Sequence, residues 1–168
     1  MKNVSGGIEM NDLLQSLWSK HEMLLDCLIS IDIRKNRTQF TNFYIEAVEN
    51  ILTIVEFARS VNDNDTIWVA CCEMCKINIV NNVDIESAVM YQLISLELAR
   101  QMQDDKKVAF SIWISGNLML STNSPEKALE RYFKAHEILF KSEVEIFPEL
   151  IESISMAHEY LNQQGRPQ

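Results

Sequence analysis

Apolar positions three and four residues apart recur along most of this chain, and short polar clusters interrupt them. That spacing gathers apolar side chains on one face of an α-helix. A first helix is expected from about Met10 to Ile33, carrying Leu13, Leu14, Leu17, Trp18, Leu24, Leu25 and Leu28. Residues 1–8, polar and glycine-containing, are expected to form a loose tail ahead of a single domain over 9–164. Arg34-Lys35-Asn36-Arg37 breaks the period, and a second helix follows from Thr38 to Ser60 with Phe43, Ala47, Ile51, Ile54 and Ala58 on its apolar side. A polar turn over 61–65 precedes a third helix, Thr66 to Val80, and the turn 81–84 precedes a fourth, Ile85 to Met102. Residues 104–107 lead into a fifth, Val108 to Leu120. The sixth runs from Pro125 to Lys141 and the seventh from Pro148 to Gln163, ended by Gly165 and Pro167.

The fifth and sixth helices form the clearest pair. Between them lies Thr122-Asn123-Ser124-Pro125, in which Ser124 is placed as an N-cap and Pro125 at the first helical position. Ala128, Tyr132, Ala135 and Leu139 then line one face, and Gly116 is the single glycine of the fifth helix. Small residues on facing helices allow a short interaxial distance, so Gly116 is expected to meet the stripe that holds Ala128 and Ala135.

Parts of the chain repeat. Val55-Glu56-Phe57-Ala58-Arg59 echoes Leu96-Glu97-Leu98-Ala99-Arg100 at an offset of 41, and both precede an Asp/Asn-rich turn. Ala47, Ala88 and Ala128 open helices at steps of 41 and 40. A step of that size carrying two helices marks stacked helical hairpins. Gly116, Met119, Ala128, Tyr132 and Ala135, within a stretch of about 33 residues, resemble the small-large-small-aromatic-small signature of a tetratricopeptide repeat. Ser115, Ile112 and Phe140 depart from that family, which usually has a large apolar residue, Trp and Pro there. The resemblance implies an all-α fold, a right-handed stack of three antiparallel helical hairpins closed by a C-terminal capping helix. In the second hairpin a step of 40 puts Lys76 where the third has Gly116. Either that helix rotates or Cys72 takes the small position.

Composition narrows the picture. With 168 residues the chain can bury a core of its own, and four glycines with three prolines argue for few, long elements. No apolar run approaches 18 residues and no leader-like stretch opens the chain, so the expectation is a cytoplasmic protein with no membrane contact. The formal charge of −9 repels phosphate backbones, which disfavours nucleic acid and favours basic or apolar peptides.

Candidate chemistry is sparse. Cys71, Cys72 and Cys75 share helix faces, but no second Cys-x-x-Cys supplies the rest of a zinc site, and buried packing is the commoner role of free cysteine. His21, His136 and His158 stand apart, and neither a nucleophile elbow nor a glycine-rich phosphate loop occurs. No catalytic residues, cofactor or metal are therefore expected. In tetratricopeptide proteins the first helix of each hairpin lines a peptide groove. On this chain the resemblance implies a groove of Phe110, Trp113, Asn117 and Leu120, joined by Ala70, Glu73 and Ile77. The family's carboxylate-clamp lysines are missing from these positions. Phe110 and Trp113 can equally be core, and the methionines are read as core filler ahead of adaptable surface. The function expected is a non-enzymatic adaptor or chaperone that holds a peptide or partner helix. The rivals are an acidic immunity or inhibitor protein masking a basic partner such as a toxin, and a peptide-sensing regulatory domain. The sequence leaves homodimerisation open.

Overall fold

Four helix ends in this chain are made without glycine. Four helices stop at a residue in the left-handed region: Asn62, Gln103, Asn123 and Glu143, with φ between 54° and 58°. In each case the next N–H returns to a carbonyl five residues back: Asp63 to Ala58, Asp104 to Ala99, Ser124 to Met119 and Val144 to Leu139. This closure satisfies carbonyls that the helix leaves unpaired, and it reverses the chain within three residues.

Three helices are started by an aspartate. Asp63 accepts the Thr66 backbone N–H at 3.0 Å and its hydroxyl at 2.6 Å. Asp84 does the same with Ser87, at 3.0 and 2.7 Å. Asp104 accepts the Lys107 N–H at 3.0 Å and its ammonium at 2.8 Å. Each fixes an orphan N–H in the first turn. Ser124 occupies the expected N-cap and Pro125 the first turn, yet the Ser124 side chain makes no capping bond. Its hydroxyl donates to the Thr122 carbonyl at 3.5 Å instead.

The computed structural model describes the backbone of residues 4–79 and 83–164 and the side chains of 11–79 and 83–163. Among the described residues there are seven helices and no strand: α1 (Val4–Ser30), α2 (Arg37–Ser60), α3 (Asn64–Ile79), α4 (Ile85–Gln101), α5 (Asp105–Ser121), α6 (Pro125–Lys141) and α7 (Pro148–Gln164). α1 begins at Val4, inside the stretch expected to be a tail, and α5 begins three residues before Val108. Residues 1–3, Val80, Asn81, Asn82, Gly165 and Pro167, for which the sequence suggested a tail, a helix end, a turn and terminators, lie outside the described residues. No described helix is long and apolar enough to cross a membrane.

Each helix packs on the next, and α3 also touches α5 while α5 touches α7. One core lies among α1, α2 and α3, around Leu24, Leu28, Ile51, Ile54 and Met74. A second surrounds α5, α6 and α7, around Ile112, Tyr132, Leu139 and Leu150. Cys72, Cys75 and Ile114 pack between them. Ala47, Ala88 and Ala128 are all fully buried.

The close contact between α5 and α6 differs from the one expected. A Cβ on Gly116 would lie 2.3 Å from Tyr132 Cε1 and 2.5 Å from Cδ1, so the glycine faces an aromatic ring rather than another small residue. Tyr132 has no exposed surface, and its hydroxyl donates to Asn117 Oδ1 at 2.8 Å. Between α3 and α4 the tight point is Cys75, whose Sγ lies 3.4 Å from the Ala88 carbonyl. Lys76 bonds Glu73 at 2.6 Å, and Cys72 packs with Cys75 and Ile114.

Candidate functional site

Polar side-chain ties join the odd-numbered helices in sequence. His21 Nε2 on α1 lies 3.4 Å from Glu73 on α3, Trp68 Nε1 on α3 donates to Ser111 on α5 at 3.1 Å, and Trp113 Nε1 on α5 donates to Ser153 on α7 at 2.9 Å. Ser111 and Ser153 are buried. A buried hydroxyl facing an indole N–H satisfies both groups and fixes the plane of the ring.

The two indoles belong to a wall of four half-buried rings. Phe110 stands 5.6 Å from Trp68, 4.9 Å from Trp113 and 5.6 Å from Phe147, and Trp113 is 5.5 Å from Phe147. Such tilted and edge-on spacings are favourable for aromatic pairs. Lysines flank the wall: Lys107 Nζ lies 5.7 Å from the Trp68 ring and Lys76 Nζ 5.9 Å from the Phe110 ring. Lys107 is held by Asp65 at 2.7 Å and Asp104 at 2.8 Å, and Lys76 by Glu73 at 2.6 Å.

Beyond Trp113 the surface opens into a cleft of about 480 Å³ between α5 and α7. Trp113, Asn117, Leu120 and Ser121 form one side, and Glu149, Glu152, Ser153 and Met156 the other. Asn117 spends its carbonyl oxygen on Tyr132, which leaves its amide NH₂ as the end able to donate. Burial pushes the Tyr132 phenol up to about 12, against a smaller opposite pull from Ser153, so this tyrosine stays neutral and serves as a donor.

Of the groove residues expected from the sequence, Phe110 and Trp113 stand in the ring wall, and Trp113, Asn117 and Leu120 line the cleft. Glu73 is mostly buried beneath Lys76 and His21. Ala70 and Ile77 must be corrected: they are 0% and 1% exposed, sealed in the core with α1 and α2, and no partner can reach them. Both lie on the side of α3 that packs against α1 and α2, and α3 buries residues on most of its circumference, so its apolar period does not tell an inward from an outward position. Trp68, Phe147, Glu149 and Glu152 were not anticipated, and Met156 only among the methionines weighed as adaptable surface. Trp68 had a readable signal, an indole near the start of α3 as Trp113 is near the middle of α5. Phe147 and the α7 residues had none, because the link over 142–147 has no counterpart earlier in the chain.

The cysteines are packed, not poised. Cys71, Cys72 and Cys75 are buried, and burial raises all three thiols, Cys71 to about 11 and Cys75 to about 12. Among the described residues no three of His, Cys, Asp and Glu converge as metal ligands. Alkylation of the native protein is therefore expected to stop at half-buried Cys27. The other three should react at least about a hundredfold more slowly, at the rate of opening of the fold, as read by mass spectrometry of intact and unfolded samples.

No family model, curated protein or solved structure matches this chain.

Proposed function

We propose that this protein is a non-enzymatic binding module, an adaptor or chaperone of the cytoplasm built as a tetratricopeptide-like right-handed stack, which holds an extended peptide or a partner helix against α3, α5 and α7. The observation that carries the reading is the cleft beside Trp113, walled by rings that are immobilised before any ligand arrives. Aromatic anchors fixed in advance cost little entropy on binding, and such residues dominate interface energies. The contacts of α3 with α5 and of α5 with α7 support the stack, since alternate helices of a hairpin array meet in this way. The rival reading as an acidic inhibitor draws on net charge alone.

Twelve-residue peptides selected from a random display library test the proposal. Binders are expected to shift the indole N–H resonance of Trp113, then that of Trp68, and to leave Trp18, which packs edge-on against His21 at 5.8 Å, unmoved. Trp113→Leu should weaken binding by about 30-fold or more, the scale of an aromatic hot spot, with the far-UV circular dichroism unchanged. Binders that shift only resonances of α2 and α4 would move the site to the other side of the molecule.

A further inference from the structure

Two of the four wall rings repeat one local arrangement. Lys107 lies over Trp68 while paired with Asp65 and Asp104, and Lys76 lies over Phe110 while paired with Glu73. In both, an aromatic ring and at least one carboxylate share a single ammonium. The ring attracts the cation through its quadrupole, and the carboxylate fixes it in place. Both partners of the cation come from α3 and α5 or the turn between neighbouring helices.

Trp113 shares its cleft with carboxylates but has no cation over its ring among the described residues. Its cleft contains two carboxylates, Glu149 and Glu152, both exposed, and no lysine, arginine or histidine. Neither glutamate forms an ion pair among the described residues, whereas Glu46, Glu73, Asp65, Asp104 and Glu137 each sit within 3 Å of a lysine. No lysine or arginine stands over Trp113 among the described residues. The indole is held at its edge by Ser153 and on its flanks by Phe110 and Phe147, so it cannot turn away from the cleft.

Resting on the groove reading above, we propose that the α5/α7 cleft is a receptor for one cationic side chain of the bound segment, arginine in preference to lysine. The ligand supplies the charge that the chain supplies to itself at Trp68 and Phe110. Arginine fits better because its planar guanidinium can stack on the indole and still direct N–H donors to two carboxylates, which an ammonium on a single point cannot do as well. The cleft volume, about 480 Å³, admits the whole side chain together with flanking backbone. The net charge of −9 favours the approach of such a segment.

The test compares two blocked heptapeptides, Gly-Leu-Gly-X-Gly-Leu-Gly, with X either arginine or norleucine, by calorimetry and by the Trp113 indole resonance. The arginine peptide is expected to bind about tenfold or more tightly, and a lysine version to fall between the two. The doubly substituted Glu149→Gln/Glu152→Gln protein should lose that preference while still binding the norleucine peptide. Glu126→Gln/Glu130→Gln, which removes the same charge from the exposed face of α6, should keep it. Equal binding of the arginine and norleucine peptides at Trp113 overturns the cation receptor and leaves the groove standing. A preference lost equally in the α6 control overturns it too, because long-range attraction then accounts for the effect. An indole unmoved by any of the peptides at millimolar concentration removes the groove itself and the receptor with it.

Discussion

Gly116→Ala is expected to destabilise the protein by about 1–2 kcal/mol net, although alanine is the better helix former. Taken alone, the exchange inside α5 should gain about 1 kcal/mol from helix propensity. The added Cβ, however, would stand 2.3 and 2.5 Å from two carbons of the Tyr132 ring, well inside van der Waals contact. A flexible surface side chain could yield. This ring cannot, because it has no exposed surface, its neighbours Ala128, Ala135 and Leu139 are equally buried, and its hydroxyl is tied to Asn117. Relief requires α5 and α6 to separate, and overpacked cores typically lose about 1–3 kcal/mol, occasionally more. Denaturant titration of four proteins decides it: wild type, Gly116→Ala, Tyr132→Leu and the double variant. Tyr132→Leu alone leaves a cavity and costs stability, but it removes the ring, so the double variant should be more stable than the sum of the single losses by about 2 kcal/mol. Tyr132→Phe, which keeps the ring, should give no such relief. Additive losses would mean that the glycine serves something other than the ring.

The ring-over-glycine contact shows how far the sequence could be read. Gly116 and the stripe of Ala128, Tyr132 and Ala135 were legible as facing surfaces, because apolar period and small-residue spacing place both toward the α5–α6 seam. Which atom filled the space left by the missing side chain was not legible, since facing positions do not state which side chain points across. The helices were legible for the same reason of period, to within a few residues at most ends. At Val4 the reading failed because Gly6 and Gly7 argue locally against helix, and propensity is a weak prior.

The ring wall and the cleft were legible in part. Phe110, Trp113, Asn117 and Leu120 lie on one side of α5 as the 3.6-residue period requires. Ala70 and Ile77 were misjudged because α3 is buried on several faces, and the sequence did not say which of them meets α1 and α2. The carboxylates of α7 escaped for a different reason. A terminal helix with glutamates on its outer face reads as a solvated cap, and only the fold brings Glu152 beside Trp113.

The second large effect should come from Glu73, and it carries a pH signature. Its side chain is 13% exposed and bonds Lys76 at 2.6 Å and His21 Nε2 at 3.4 Å. Burial pushes its carboxyl up, but the His21 and Lys76 contacts together outweigh burial and hold it below its usual value of 4.5. His21 is 2% exposed and its Nδ1 has no hydrogen-bond partner among the described residues, where Nε2···Glu73 is its one polar contact. Glu73→Ala strips that contact as well as the partner of Lys76, and leaves a ring with both nitrogens unpaired in the core. A loss of about 2–3 kcal/mol at neutral pH is the scale for a buried polar group deprived of its partner. Since the folded-state pKa lies below the unfolded one, the stabilisation from the carboxylate is fully present above about pH 4.5 and is lost as pH falls through the lower folded value. The gap in unfolding free energy between wild type and Glu73→Ala should therefore narrow as pH falls from 4.5 toward 3. Glu73→Gln, which keeps the shape and can still bond His21, should cost less than alanine and show the same narrowing. A gap that stays level down to pH 3 would assign the loss to packing alone and remove the charge from the argument.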